Sequence, residues 1–559
     1  MKKMILKSIV FLFMISTVAF AASIPNSGNI LQQVKSPVLS PVPKELPKVQ
    51  TQEYAPAISG KGGVKILVKH FIIKGNTVFP SALLHELIKS YENNELTLSQ
   101  IKKVADVITK YYRDHGYFVS RAYVPAQTIK NNTVVIMIIE GNYGSFNLNN
   151  TSLVKTAILQ NHLNALKKAH VISLSSMEHQ MLLINDLSGA KITNIQIGPG
   201  KKIGQSDFNI DIEATKRFNS YLFVDNYGSK ATGEGRVTAM EMINSPTGLG
   251  DRLQIIGLES FSSELKNAQA KYSLPLGISG LKADISASVT KYTIGDIYKS
   301  LDAHGDTSMF TAGLSYPMIK TRVTELNLKG TLSHTGMSDW MSGSDAKKHV
   351  NAIILSLEGS HNGNFFSKPN RFSADISFTR GQSILDNAAA IYNDATLNSA
   401  GNFNKALLNM TNSLYLDQKT TLKMTLSAQT SFNKNLDSSE DFSVGGAYGL
   451  RAYTTNELSG DKGVLFSLEA IYALPSMQNL QQQSSLFLDS AKVWQNASNI
   501  SGSANNVRRL NDIGISYSAT YRAMSLSVSY AHGFGVDSQP TAELSTSADK
   551  VFARLSMVF

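Results

Sequence analysis

From about residue 216 to the C-terminus, apolar and polar residues alternate in one segment after another, and this limits the fold more than any other feature. Leu281, Ala283, Ile285, Ala287 and Val289 alternate with Lys282, Asp284, Ser286, Ser288 and Thr290. Phe372, Ala374, Ile376 and Phe378 alternate with Ser373, Asp375, Ser377 and Thr379. Leu422 to Gln429 and Met524 to Tyr530 repeat the pattern. A period of two puts one set on each face of a β-strand. A soluble sandwich and a membrane barrel both contain such strands, but a barrel shows its apolar face to lipid and encloses water. These runs are about ten residues long, against five or six in soluble sheets. The last strand sets Val551, Ala553, Leu555, Met557 and Phe559 on one face. The expectation is a transmembrane β-barrel over residues 216–559, with room for about 16 antiparallel strands.

The N-terminus reads as an export signal over residues 1–21. Lys2, Lys3 and Lys7 precede an apolar stretch from Ile9 to Ile15, then Ala19-Phe20-Ala21 as a peptidase site. No internal apolar run is long enough for a spanning helix, so a membrane crossing requires a closed barrel, which satisfies every backbone group in lipid. The chain has no cysteine, which excludes disulfides and a lipoprotein anchor. Without the three signal lysines the formal charge drops from +11 to +8. These cations are spread thinly, with no run of five, so nucleic acid is not an expected partner.

Between signal and barrel lie three pieces. In residues 22–65, Asn26 to Ser36 has the makings of a short helix with Ile30, Leu31 and Val34 on one face. Pro37, Pro41, Pro43 and Pro47, then Gly60, Gly62 and Gly63, mark a linker. Residues 66–142 read as an α+β module: strands Ile66 to Ile73, Ser120 to Val124 and Val134 to Glu140, and helices Leu83 to Tyr91 and Ser99 to His115. Residues 143–215 repeat the theme, with helices Leu153 to Leu166 and Ser176 to Leu187 and strands near Ile192 to Ile197 and Phe208 to Ala214.

No catalytic constellation stands out. There is no phosphate-cradling loop, no H-E-x-x-H and no G-x-S-x-G elbow. His85-Glu86 is followed by Leu87-Ile88-Lys89, which cannot make a zinc pair. The expectation is no enzyme, no metal and no cofactor. The segment that does stand out is Phe442 to Pro475. It holds Gly445, Gly446 and Gly449, then Arg451 among apolar neighbours, and then a strand from Val464 to Tyr472. A loop this long near 442–463 that keeps Phe442, Val444, Tyr448, Leu450 and Tyr453 is expected to fold inward. An arginine enclosed in a barrel needs a carboxylate. Asp489, in Leu486-Phe487-Leu488-Asp489, is the candidate partner, and bidentate pairing would pin the loop.

These residues resemble the two-partner secretion transporters, the haemolysin-activator type of POTRA-bearing barrel, over nearly the whole mature chain. HFIIKGNTVFP, YYRDHGYFVSRAYVPAQ and VVIMIIEG are similar to the family's first POTRA domain. MLLINDLSG and IGPGKKIGQSDFNIDIE are similar to its second, and Asp225-Asn226-Tyr227-Gly228 with SPTGLGD is similar to its barrel opening. The 442–453 segment resembles the family's inward-folded loop, and Phe487-x-Asp489 the wall motif its arginine contacts. Two positions depart from the pattern. Ala452 stands where the family carries glycine after the arginine, and Ala491 where it places glycine two residues beyond the aspartate.

The resemblance implies an outer-membrane exporter of a separate exoprotein: an adhesin, a haemolysin or a contact-dependent toxin. Its POTRA domains would lie in the periplasm and take up the unfolded client by β-augmentation. The Asn26–Ser36 helix would plug the barrel, and transport would use no nucleotide. Outer-membrane lipid surrounds such a barrel, and the C-terminal Phe559 would present it to the barrel assembly machinery. An alternative is an assembly factor that inserts other barrels, but that family usually carries five POTRA modules. A passive porin leaves residues 66–215 unexplained.

Overall fold

In the computed structural model, residues 25–34, 47, 49–51, 64–432, 434–498, 506–535, 537–538, 540–541 and 548–559 are described. The expected signal at 1–21, and most of the proline- and glycine-marked linker, lie outside the described residues. Sixteen strands close into a barrel in which sequence neighbours are spatial neighbours. Strands 1 to 8 are Phe218–Asp225, Arg236–Asn244, Arg252–Ser260, Leu265–Pro275, Lys282–Thr293, His304–Lys320, Thr324–Met341 and Ser344–Phe365. Strands 9 to 16 are Lys368–Leu385, Gly401–Tyr415, Thr420–Ser431, Lys462–Ala473, Leu480–Trp494, Val507–Tyr521, Met524–Phe534 and Asp549–Val558.

The alternation sorts as a membrane barrel requires. Ile285, Val289, Leu332, Ile353, Leu355 and Ile376 are exposed on the outside, while the polar set lines the lumen. Strands 6 to 9 differ from the ten-residue expectation, running 17, 18, 22 and 18 residues. About 9–11 residues span the hydrocarbon, and the excess projects past the far rim. There the outward row changes from Leu332 and Ile353 to His334, Asn351 and His349, with His334 Nδ1 2.7 Å from Asn351 Oδ1. The closing seam is the shortest ladder. Strands 1 and 16 pair over five residues, Tyr221–Asp225 with Arg554–Val558, against eighteen between strands 7 and 8. Asn226 lengthens it, donating from Nδ2 to Val551 O (2.9 Å) and accepting at Oδ1 from Ala553 N–H (2.8 Å).

In the first module, helices Ser81–Ile88 and Leu98–Asp114 cover a sheet of His70–Lys74, Thr133–Ile139 and Arg121–Tyr123. The expected strand Ile66 to Ile73 is broken at Lys69, and Ile66–Val68 pairs instead with Asn94–Leu96. The long helix starts at a capping box between Thr97 and Gln100, and Ile101, Val104, Ala105, Ile108 and Tyr112 are buried at helical spacing. Glu140 closes the module. It accepts from Thr77 N–H (2.7 Å), Val78 N–H (2.9 Å) and the Tyr112 hydroxyl (2.7 Å). Burial alone would raise its pKa, but these donors outweigh it and hold the carboxyl below the usual range.

In the second module, helices Thr156–Leu166 and Leu174–Asn185 pack on strands Ala190–Pro199, Gln205–Ala214 and Asn142–Thr151. The last strand was not expected, because NYGSFNLNNT has a turn-like composition. It pairs parallel to Gln205–Ala214 and carries an amide ladder: Asn147 Nδ2 donates to Asn209 Oδ1 (2.9 Å) and Asn149 Nδ2 to Asp211 Oδ1 (3.1 Å). On the other edge, Val49–Thr51 pairs parallel to Ala190–Pro199, so the linker holds a short strand just after Pro47. The module docks on the near rim of the barrel through Lys320–Asp186 (2.8 Å) and Arg322–Glu178 (3.1 Å).

His162 is buried in this module with Nδ1 2.6 Å from Gln180 Nε2. Burial pushes its pKa from 6.5 down to about 4. The unfolded imidazole therefore takes up a proton that the folded one refuses. The contribution to stability is complete above about pH 6.5 and is lost as pH falls toward about 4. Proteolysis of the full chain in detergent between pH 7.5 and 4.5 should show second-module cleavage accelerating in acid. His162→Gln should flatten that rise.

Candidate functional site in the barrel lumen

The segment between strands 11 and 12 turns back into the barrel as a hairpin, Phe442–Val444 against Leu458–Gly460. Gly445 and Gly446 carry it through φ of +106° and +101°, a region disfavoured for other residues. Phe442, Val444, Leu450, Ala452, Tyr453 and Leu458 form an apolar cluster with Phe487, Ala491, Val493, Leu510 and Ala531 of the wall. Arg451 is thereby carried to strand 13. Its Nε donates to Asp489 Oδ2 (2.9 Å) and its Nη2 to Asp489 Oδ1 (3.1 Å). The Ser467 hydroxyl also donates to Asp489 Oδ1 (2.5 Å), and Glu469 Oε1 lies 3.5 Å from Arg451 Nη1. The guanidinium lies 3.3 Å from the Phe487 ring centroid, which adds a cation–π contact. Tyr448 is the exception among the aromatic residues expected to pack. It is 63% exposed, and its hydroxyl accepts from Arg554 Nη1 (2.7 Å).

The sequence reading did not single out Asp512. It stands opposite Asp489 in the strand 13–14 ladder and accepts from Ala452 N–H at 2.9 Å. Asp512-Ile513-Gly514 has the aspartate–x–small spacing of Asp489-Ser490-Ala491 on the preceding strand, a signal that could have found it. Gly514 is needed for space, since a Cβ there would meet Phe487 Cζ at 2.3 Å. The loop arginine is thus held through its side chain by strand 13, and the next peptide by strand 14.

A seven-residue helix, Ser27–Gln33, lies across the lumen, capped by Asn26. It is shorter than the Asn26–Ser36 reading, and residues 35–46 lie outside the described residues. At its N-terminus Ser27 donates from N–H and Oγ to Asp339 of strand 7 (2.7 and 2.8 Å). At its C-terminus the Gln33 carbonyl accepts from Arg236 Nη1 of strand 2 (2.9 Å). Ile30 is buried against Leu258, Leu265 and Tyr292. Three hydrogen bonds join helix and loop: the Ser438 hydroxyl donates to Asn26 Oδ1 (2.8 Å), Asn456 Nδ2 to Asn29 O (2.6 Å) and Gln32 Nε2 to Ser439 O (3.3 Å). Gly28 permits this approach, because a Cβ would sit 2.2 Å from Ser438 Oγ.

The helix also touches the seam. Arg236 Nε donates to Asp225 Oδ1 (3.0 Å), and Arg554 Nη2 of strand 16 donates to Asp225 Oδ2 (2.7 Å). Arg554 lies 4.3 Å from the Tyr227 ring centroid, and the Tyr227 carbonyl accepts from Thr455 Oγ1 of the loop (2.8 Å). Asp225-Asn226-Tyr227 therefore joins the seam, helix and loop in one network. Its contacts are ion pairs and hydrogen bonds that tie chain segments far apart in sequence to one another.

Comparisons with known proteins agree with this architecture. A family model described as haemolysin secretion/activation protein ShlB/FhaC/HecB matches residues 204–539, and one described as POTRA domain, ShlB-type, matches residues 66–141. The heme/hemopexin transporter protein HuxB of Haemophilus influenzae is 26% identical over 560 residues, covering 98% of this chain and 96% of its own. The structure of CdiB from Escherichia coli superposes with a TM-score of 0.72 at 20% identity, covering 91% of this chain and 92% of that one. The structure of BamA from Haemophilus ducreyi lacking POTRA domains 1-3 superposes at 0.53 with 14% identity, over 89% of this chain and 100% of that one.

Removing one partner of a buried ion pair costs about 3–5 kcal/mol, largely because the other charge is left alone. Arg451→Ala and Asp489→Ala should each release the 442–460 hairpin in a folded, heat-modifiable barrel, read as faster cleavage by protease. The double variant should be cleaved no faster than either single one; additive rates would show that the two residues act independently. Asp339→Ala should raise open-channel conductance in planar bilayers by freeing the N-terminus of the helix.

Proposed function

Because the chain belongs to the haemolysin secretion/activation protein ShlB/FhaC/HecB family, we propose that its export cycle is the displacement of the Ser27–Gln33 helix by an unfolded client. The protein is an outer-membrane transporter of two-partner secretion, with its barrel in that membrane and its POTRA modules in the periplasm. The single observation that supports this cycle is the helix itself, fixed across the lumen by a handful of hydrogen bonds. The neutral ones contribute about 1 kcal/mol net each and those to Asp339 and Arg236 about 1.5–3 kcal/mol, a hold that seals the lumen and that client binding can offset.

The client would reach the POTRA modules as an extended chain. Strand Ala190–Pro199 already accepts one added strand, Val49–Thr51, and His70–Lys74 is an edge of the first module. Main-chain pairing at such edges gives affinity without a fixed sequence. Folding of the exoprotein outside the cell supplies direction, and no nucleotide enters the cycle. Arg451 and Asp489 hold the loop as one wall of the conduit while the plug moves. During biogenesis Phe559, which is exposed beyond strand 16, presents the barrel to the assembly machinery. The likeness to BamA extends to the fold alone.

The test is secretion. The chain is expressed with its expected client, a large exoprotein encoded by a neighbouring gene, and that protein is assayed in the medium and on the surface. Export should require this chain, and should fall at least about tenfold for a correctly assembled Arg451→Ala barrel. Equal export without the chain would defeat the reading.

A further inference from the structure

We propose that the outer wall of strands 10 to 14 binds a phosphorylated glycolipid of the outer leaflet, with its phosphate on Lys462, Lys492 and Arg509 and an acyl chain in the adjoining groove. The modules lie at the periplasmic rim, so the opposite ends of these strands meet the outer leaflet. Lys462 begins strand 12, Lys492 lies near the end of strand 13 and Arg509 near the start of strand 14, which puts all three at that rim.

The ladder registers fix their mutual positions. Lys462 is opposite Trp494, and Lys492 is opposite both Val464 and Arg509. Their rows alternate outward with the exposed Phe466, Leu486, Leu488, Ile513 and Ile515, so all three cations point toward lipid. Direct and diagonal neighbours across strands are about 5–8 Å apart, within reach of one phosphate group. Lys492 Nζ stands 4.3 Å from the Trp494 ring centroid, at the depth where aromatic girdles mark the interface.

Three cations are grouped here, whereas several others on the rim stand beside a carboxylate. Lys266 pairs with Glu259 (3.1 Å), Lys347 with Asp345 (2.9 Å), His349 with Asp386 (2.9 Å) and His532 with Asp549 (2.8 Å). Strands 10 to 14 carry three carboxylates, Glu469, Asp489 and Asp512, and all face the lumen. Asp461, next to Lys462, is 2% exposed and accepts from Leu436 N–H (2.8 Å) and Ala497 N–H (2.5 Å). Asp537 accepts from the backbone N–H of Arg509 (3.2 Å). Asp461 interacts with Lys462 through its charge, but among the described residues no carboxylate makes a direct salt-bridge contact with the side chains of Lys462, Lys492 or Arg509. Such a cluster attracts a phosphate more strongly in the low dielectric of the membrane surface than in water.

Beside it lies an outward depression whose floor is two small residues, Ala406 and Ala428. Ile376, Leu408 and Val464 form its sides, and Lys462 and Trp494 close its extracellular end. An apolar channel ending in cations matches an acylated phospho-sugar, which joins a hydrocarbon chain to an anionic head.

Full-length protein in detergent would be titrated with bisphosphorylated lipid A and with the same glycolipid after its phosphates are removed, and bound lipid read by native mass spectrometry. The phosphorylated lipid should bind the wild-type chain, and Lys462→Gln/Lys492→Gln/Arg509→Gln should weaken it about 100-fold, at roughly fivefold per cation. Ala428→Trp should weaken it with all cations present. Lys266→Gln/Lys291→Gln, on another wall, should leave it unchanged. Each variant is first shown to be heat-modifiable. Equal binding by the triple variant, or by the dephosphorylated lipid, would overturn the proposal.

Discussion

A guanidinium enclosed in a barrel has few ways to be stable, and the rest of the lumen is arranged around the one found by Arg451. An isolated buried charge is expensive, so the loop can fold inward only if the wall supplies an anion at the right height. Asp489 supplies it with both oxygens, Ser467 orients it, and Phe487 covers the guanidinium face. The pairing matters for what it positions more than for its own net energy, since a buried ion pair gives little over an apolar substitute. With the hairpin set, Asn456 meets the plug helix, Thr455 the Tyr227 carbonyl, Tyr448 the seam arginine and Glu457 the buried Arg508 (3.0 Å).

The second consequence concerns closure. A membrane barrel must have no open edge, yet strands 1 and 16 share the shortest ladder of the sixteen. Side chains supply what the backbone lacks. Asn226 adds two hydrogen bonds to strand 16, and Asp225 joins arginines from strands 2 and 16. Arg236 is shared between Asp225 and the Gln33 carbonyl of the plug. A plug that leaves takes one partner from this arginine, so channel opening and seam electrostatics are linked through one side chain. That linkage requires no movement of the wall; it follows from one donor serving two acceptors.

Much of this was legible in the sequence because a lipid-facing strand imposes a strict period. Leu281 to Thr290 and Phe372 to Thr379 declare their faces, and the chain length set the number of strands near sixteen. The inward loop was legible because Phe442, Val444, Leu450 and Tyr453 have no place in water. What escaped notice shares a different cause. Asn142–Thr151 is a strand by virtue of its neighbour Gln205–Ala214 and an amide ladder, against its own composition. Strands 6 to 9 exceed the membrane, where alternation no longer carries an apolar signal. Val49–Thr51 takes strand form only because the second module offers an edge. Asp512 carries the same aspartate–x–small spacing as Asp489, but only the register that sets the two opposite each other shows what that spacing is for.

The two departures at Ala452 and Ala491 acquire a physical account in the same geometry. Neither has the positive φ that would demand glycine. Both are nearly inaccessible members of the apolar cluster around the loop, so their methyl groups fill space beside the ion pair without displacing it. The steric limit lies one strand further on, at Gly514, where any side chain would strike the Phe487 ring. That ring must lie flat enough to cover Arg451, and it can do so only over a residue without a Cβ. The requirement for glycine at this site therefore comes from two sides, the Tyr530 carbonyl of strand 15 and the aromatic ring that covers the arginine. Ala452 contributes instead through its backbone, where an N–H that the loop must bury is taken up by Asp512.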